Sequence, residues 1–295
     1  MKMNSFRKEI TYGYLFILPN ILGFAIFVGF PVAFSLYLSF HSWNGFTDMH
    51  FVGWDNFISL INSATFWKVI QNNLLYTIGT VPISIALGLF SAILVSRGLK
   101  SMTLFKTILF FPNITSPVAV ALVFGAIFSR EFGPVNSFLR SIGFDNPPGW
   151  FASTQWALVS VMILGIWKIF GYLMILFLAG LQGIPTTLYE AATVDGANSY
   201  QKFRFVTLPM LAPTMQLVIS MSIIWSLQVW DLIYASTGGG PGDATRVMVF
   251  EIIRAAFTLN NFGYASALSW VLFIITFCFA IVQYTIQQKQ INETF

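Results

Sequence analysis

Two stretches of the chain set aromatic rings beside hydrogen-bonding groups at helical spacing. Ser222, Trp225, Ser226 and Val229 fall at i, i+3, i+4 and i+7, which is one face of a helix. Lys168 and Tyr172 stand four apart on another stretch. An aromatic ring flanked by hydroxyls and an ammonium suits reversible binding of a ligand that shows both C–H surfaces and polar groups. The same Ser, Trp and Tyr side chains also serve helix–helix packing, with hydrogen bonds across the interface. Gln228, Asp231 and Tyr234 follow as further polar candidates. Asp231 also reads as a carboxylate snorkelling from a helix end.

The residues of covalent and metal chemistry are dispersed. The 11 acids are scattered, and the nearest two are Glu190 and Asp195, five apart. A metal-assisted or acid–base enzyme needs clustered carboxylates. His41 and His50 do not make a metal-site pattern and are expected to lie solvated in a loop. The glycines at 238–240 and 242 surround Pro241 with no following Lys, so they lack the G-x-x-x-x-G-K-[ST] pattern that cradles nucleotide phosphates. Cys278 stands alone, can form no internal disulfide, and reads as a small core residue.

These residues are carried by a chain of unusual composition. Of 295 residues, 56% are hydrophobic and 9% charged, against about 25% charged in a soluble domain. No Asp, Glu, Lys or Arg occurs at 10–47, 69–96, 107–129, 205–230 or 255–288. Each run exceeds the roughly 20 apolar residues that a spanning helix needs, and 155–181 is apolar apart from Lys168. Six spans are expected, at about 13–39, 70–96, 104–128, 155–181, 207–235 and 264–287. Continuous apolar runs exclude a barrel, which alternates with period two. The first run is too long for a signal-peptide core of about 7–15 residues. Pro19, Pro31, Pro82, Pro112 and Pro117 lie within spans and should bend them. Trp43, Trp54, Trp67 and Trp150 near span ends read as an interface belt.

Charge gives the orientation. Lys2, Arg7, Lys8, Arg97, Lys100, Lys106, Lys202, Arg204 and Lys289 share one side, and Lys68, Arg130, Arg140, Arg246 and Arg254 the other. The richer side is expected to face the cytoplasm, with both termini on it. The segments are then a cytoplasmic stretch at 1–12, a membrane domain at 13–287 with its core at about 66–287, and a tail at 288–295. No basic run suits nucleic acid.

The loop between the fourth and fifth spans has a shape of its own. Thr187 and Glu190 fit a capping box, Pro185 ends the preceding helix, and Gly196 is a helix stop. A short helix is expected over Thr187–Asp195. Asn198 and Ser199 would then cap a second one running to about Thr207, before Leu208-Pro209 re-enters the membrane. Small residues at Ala191, Ala192 and Ala197 allow another surface to approach closely. A simple connector with Glu190 as its cap fits the same pattern.

This stretch, Glu190-Ala191-Ala192, Asp195-Gly196-Ala197 and then Leu208-Pro209, resembles the "EAA" loop of permease subunits of binding-protein-dependent ABC importers. Residues 51–57, 179–185, and Gly239-Gly240-Pro241 with Thr245 resemble the carbohydrate branch of that family, and more its maltose "F"-type member than the "G"-type partner. The resemblance implies an all-α polytopic bundle in a bacterial cytoplasmic membrane. It implies that the elbow docks on a cytoplasmic ATPase through Glu190, Ala191, Ala192, Asp195 and Gly196, with ATP and Mg held by that partner and no cofactor in this chain. It further implies a second, homologous permease subunit, an ATPase dimer, an extracellular sugar-binding protein and a carbohydrate cargo. By the same resemblance Lys168, Tyr172, Ser222, Trp225, Ser226 and Val229 line a transient sugar site. Lys168 has three possible partners on this reading: Asp231, the second permease or an acidic sugar. A self-sufficient secondary transporter is the rival, and it would need paired intramembrane acids and an internal repeat.

Overall fold

A computed structural model describes residues 2–96 and 102–294, apart from the side chains of 2–8, 102, 287 and 289–294. Arg97 and Lys100, and the side chains of Lys2, Arg7, Lys8 and Lys289, on which much of the charge asymmetry rests, lie outside the described residues.

The described chain is helical apart from one small hairpin. Helix α1 (Lys2–Phe24) passes through a π-turn at Ala25–Gly29 into α2 (Phe30–Ser39), and strands β1 (His41–Ser42) and β2 (His50–Phe51) follow. Then come α3 (Asp55–Asn62), α4 (Ala64–Val95), α5 (Met102–Ile114), α6 (Pro117–Ile127), α7 (Pro134–Ser141) and α8 (Ala157–Gln182). Short helices α9 (Thr186–Val194), α10 (Ser199–Lys202) and α11 (Leu208–Met210) lead to α12 (Ala212–Leu227). The chain ends with α13 (Asp231–Ser236), α14 (Met248–Ile253) and α15 (Phe262–Thr294).

Four helical stretches are long and apolar enough to cross a membrane: Glu9–Ser39, Ala64–Val95, Ala157–Gln182 and Phe262–Ile286. Two bent pairs raise the count to six if each is one span. The expected third span is broken by 100° between Thr103–Ile114 and Pro117–Ile127, and the segment entering the fifth by 66° between Ser199–Met210 and Ala212–Leu227. Proline is the cause at the first break. Pro117 supplies no N–H to continue the ladder, and Ser116 before it is non-helical, with ψ at 131°, as a residue preceding proline prefers. The fifth helix also stops at Leu227 rather than running to 235, and α13 restarts at Asp231.

The chain divides into two compact units, Met1–Ser63 with Ile252–Val271, and Ala64–Glu251 with Leu272–Phe295. In the first unit, Asn56 Nδ2 donates to the carbonyls of Ser39 (2.8 Å) and His41 (3.0 Å). His41 corrects the sequence expectation. It is buried at 6% exposure, its Nδ1 lies 2.7 Å from the Tyr37 carbonyl, and its ring lies tilted against that of Tyr37 with centroids 4.0 Å apart. An imidazole with aromatic neighbours packs well once its ring nitrogen has a partner. His50 is exposed.

In the second unit α4 and α8 pack along their length. Ala92 and Val95 of α4, Leu173, Met174, Phe177 and Leu178 of α8, and Val218 of α12 form one buried cluster. Glycines make the approach close. A Cβ on Gly79 would sit 2.6 Å from Met162 Sδ, one on Gly88 2.9 Å from Leu173 Cβ, and one on Gly165 would collide with the Tyr76 hydroxyl. Small residues at such contacts let helix backbones gain dispersion energy where lipid offers no hydrophobic drive. Two further expectations need correction. Trp150 is buried, stacks on Phe128 at 4.5 Å and donates to Asn136 Oδ1 at 2.6 Å, so it is a core residue of its loop. Cys278 is exposed rather than buried in the core.

Candidate functional site: a polar cavity between helices

A cavity of about 490 Å³ opens in the second unit, walled by α4, α8, α12 and α13, with Asn113 contributed by α5. Lys168, Tyr172, Ser222, Trp225, Ser226 and Val229 all line it, with Gln228 and Asp231. Tyr234 is not among its walls. The helical spacing explains the convergence: α8 presents positions four apart, and α12 presents its Ser/Trp face across from them. The Tyr172 and Trp225 rings meet nearly edge to face, with centroids 5.4 Å apart. Ser226 Oγ donates to Thr77 Oγ1 (2.9 Å) and to the Ile223 carbonyl (2.8 Å).

Sequence reasoning missed the α4 wall, which supplies Tyr76, Thr80, Val81 and Ser84. Its signal was weak because those residues sit one per turn inside a long apolar run. Ser84 and Ser222 are buried, at 1% and 4% exposure, and their hydroxyls have no hydrogen-bond partner among the described residues. Buried hydroxyls are costly to leave unpaired, so a cavity lined by two of them suits a ligand that supplies hydroxyl partners. Thr80 spends its hydroxyl on the Tyr76 carbonyl at 2.7 Å.

The cavity is braced from behind by an asparagine pair on α4, also missed. Asn73 Nδ2 reaches the terminal carbonyls of α12 at Ser226 (3.4 Å) and Leu227 (3.2 Å), while its Oδ1 accepts from Met248 N at 2.9 Å. Asn72 Nδ2 donates to the carbonyls of Asp243 (2.8 Å) and Arg246 (2.9 Å). The glycine-rich segment singled out in the sequence is held by Thr245, whose Oγ1 donates to the Gly240 carbonyl at 2.8 Å. Arg246 pairs with Asp243 at 2.7 Å and lies 3.5 Å from Glu251. Two buried asparagines adjacent in an uncharged run were the available signal.

Lys168 has a different environment from any expected. Its Nζ donates to the carbonyls of Thr115 (2.8 Å) and Asn113 (3.2 Å). No carboxylate lies within ion-pair distance of it among the described residues.

The elbow residues form a separate feature. Helix α9 begins at Thr186 with Pro185 as its N-cap and no side-chain cap bond. The expected Thr187–Glu190 capping box is therefore absent: Pro185 starts the helix early, and Thr187 falls inside it. The capping box is one helix later, where Asn198 Oδ1 accepts from Gln201 N (2.9 Å) and Gln201 Oε1 from Asn198 N (2.8 Å). Gly196 takes a φ of +78°, and Ala197 N donates back to the Ala192 carbonyl at 2.9 Å, closing the helix as a left-handed glycine does. A π-turn at Phe203–Thr207 continues α10. Tyr189 Oη lies 3.0 Å from Thr207 Oγ1, and Lys202 Nζ donates to Thr193 Oγ1 at 2.7 Å. Glu190, Ala191, Asp195 and Gly196 are exposed and Ala192 is partly so.

Comparison with known proteins gives these features a family. Residues 84–292 match the family described as the binding-protein-dependent transport system inner membrane component. The chain is 35% identical over 277 residues to the lactose transport system permease protein LacF of Rhizobium radiobacter, covering 92% of each. It is 34% identical over 270 residues to the probable ABC transporter permease protein PH1215 of Pyrococcus horikoshii, covering 90% of this chain and 92% of that one. The multiple sugar-binding transport system permease protein MsmF of Streptococcus mutans is 33% identical over 286 residues, covering 96% and 98%. A crystal structure of a bacterial ABC transporter that imports the acidic polysaccharide alginate has the same fold, with a TM-score of 0.84 at 23% identity over 98% of this chain and 99% of that one. With the family match spanning most of the chain, this multi-pass membrane protein belongs to the binding-protein-dependent transport system inner membrane components and is a permease of an ABC importer.

Proposed function

We propose that the chain forms half of the translocation pathway for a sugar or oligosaccharide, delivered by an extracellular binding protein and driven by ATP hydrolysis on partner subunits. The observation that carries this reading is the cavity itself: Tyr172 and Trp225 offer ring surfaces, and Ser84 and Ser222 offer unsatisfied hydroxyls. Rings stack on the C–H faces of a sugar and hydroxyls pair with its oxygens. The lactose and multiple-sugar permeases among the relatives support the same cargo class.

On this reading the chain crosses a bacterial cytoplasmic membrane six times with both termini inside, in a membrane domain at 13–287 with its core at about 66–287, between a stretch at 1–12 and a tail at 288–295. The elbow built by α9 and α10 docks on an ATPase subunit of a dimer that binds ATP and Mg, and a second, homologous permease completes the pathway. Glu190 is the main polar contact, Ala191 and Ala192 pack closely, and Asp195 and Gly196 form the corner. Val194, 88% exposed at the end of α9, is an apolar side chain that such a partner would cover. Closure of the ATPase dimer would swing the elbow and rock the helices between inward-open and outward-open states.

The deciding experiment measures ATP hydrolysis stimulated by the loaded binding protein in vesicles holding the full complex. Wild type is compared with Glu190→Lys and Gly196→Asp. Normal assembly with coupling lost in both variants is the expected result. Full coupled activity in both would reduce the elbow to a connector and revive the secondary-transporter reading.

A further inference from the structure

The ammonium of Lys168 ends on two backbone carbonyls at the broken end of α5, Thr115 at 2.8 Å and Asn113 at 3.2 Å. In an unbroken helix the Asn113 carbonyl would accept from the N–H of residue 117. Residue 117 is proline and has none. The chain turns by 100° there, so the Thr115 carbonyl also loses the turn that would have served it. An orphan carbonyl away from water is costly, and a cation at a helix C-terminus meets the negative end of its dipole.

Gly171 is what brings the lysine within reach. A Cβ on it would collide with the Leu109 carbonyl and lie 3.1 Å from Phe110 Cα, so α5 and α8 touch backbone to backbone at this level. Asn113 is one turn further along α5 than Leu109, and Lys168 is one turn before Gly171 on the antiparallel α8. The lysine is thereby delivered to the break.

We propose that Lys168 is a positioning residue, a hydrogen-bond latch that closes the break between α5 and α6, with its charge committed to backbone rather than to cargo. The inference deepens the pathway reading above, since Lys168 and Asn113 line the same cavity. It accounts for a lysine inside an apolar helix without an acidic partner or an acidic sugar.

The test uses the full importer complex in a Cys278→Ser background. Spin labels are placed through Leu104→Cys on α5 and Leu122→Cys on α6, positions 63% and 71% exposed, and their separation is read by double electron–electron resonance. Wild type and Lys168→Gln, which keeps donors without charge, are expected to give one narrow distribution. Lys168→Met is expected to broaden or shift it. In parallel, ATP hydrolysis stimulated by the loaded binding protein should fall about tenfold in the Met variant and recover in the Gln variant, as loss of two partly buried hydrogen bonds predicts. An unchanged distance distribution in Lys168→Met overturns the latch. So does failure of Gln alongside Met with distances intact, which would give the charge a role toward cargo. If the wild-type complex hydrolyses ATP but moves no carbohydrate, the cargo reading falls while the distances still judge the latch.

Discussion

The ring of Tyr172 meets the ring of Trp225 nearly edge to face, with centroids 5.4 Å apart and planes at 63°. One ring comes from α8 and the other from α12, so the pair joins two walls of the cavity as well as lining it. Such a contact contributes about 0.5–1.5 kcal/mol beyond burial. Trp225→Ala is expected to lower carbohydrate uptake about tenfold or more, while Tyr172→Phe, which keeps the ring, stays within about threefold. Initial uptake rates in vesicles decide it, and equal loss in both would point to the Tyr172 hydroxyl instead.

Asn73 serves three backbone groups on two segments, the carbonyls of Ser226 and Leu227 and the N–H of Met248. Asn73→Leu keeps the volume and orphans all three. A destabilisation of about 1–3 kcal/mol per unsatisfied buried group is expected. Thermal unfolding of the detergent-solubilised complex should show a clear fall in midpoint, and an unchanged midpoint would mean that water replaces the amide.

Gly171 and Gly125 form a matched pair for a steric test. A Cβ on Gly171 would strike the Leu109 carbonyl, whereas one on Gly125 meets nothing within 4 Å. Gly171→Ala is expected to cost about 1–3 kcal/mol through overpacking, and Gly125→Ala to be close to neutral. Expression and thermal midpoint together read the difference, and equal behaviour would show that α5 can retreat from α8 at no cost.

Tyr189 lies 3.0 Å from Thr207 across the elbow, hydroxyl to hydroxyl. This bond ties α9 to the π-turn that leads into the fifth span, so it lies on the route by which a push on the elbow would reach the cavity wall. Tyr189→Phe is expected to leave basal ATP hydrolysis intact and to reduce the cargo moved per ATP by about two- to tenfold, the range of one net hydrogen bond. An unchanged ratio would place the transmission elsewhere.

Much of this was legible in the residues. The uncharged runs marked the apolar helices, Gly196 marked the end of α9, and the period-3.6 face at Ser222, Trp225 and Ser226 marked a wall of the cavity, which Val229 joins from the segment beyond the end of α12. The illegible parts depended on geometry that no local pattern carries. Pro112 and Pro117 announced a bend in the third span but not one of 100°, and hence not the carbonyls that Lys168 serves. Tyr76, Thr80 and Ser84 looked like ordinary residues of a long helix until α8 and α12 were set around them. The supposed cap at Thr187 failed because Pro185, a strong helix starter through its fixed φ, moved the first turn upstream. His41 looked solvated because its partner, the Tyr37 carbonyl at 2.7 Å, becomes reachable only where α2 ends and the chain turns, a carbonyl that also accepts from Phe40 N at 3.2 Å.

The glycine contacts between α4 and α8 bear on how the cavity could change its volume. Gly88 brings α4 against the backbone of α8, while Gly79 and Gly165 are notches that receive the Met162 and Tyr76 side chains of the facing helix. A relative slide by even one helical turn, about 5.4 Å, would drive bulky side chains into those notches. The notches therefore oppose sliding of α4 along α8. On this geometry Tyr76 and Lys168 would travel together as one jaw, and the other is carried on α12, whose helix is interrupted at both ends. A vice closes in the same way: one plate is fixed to the bench and the other is carried on the screw.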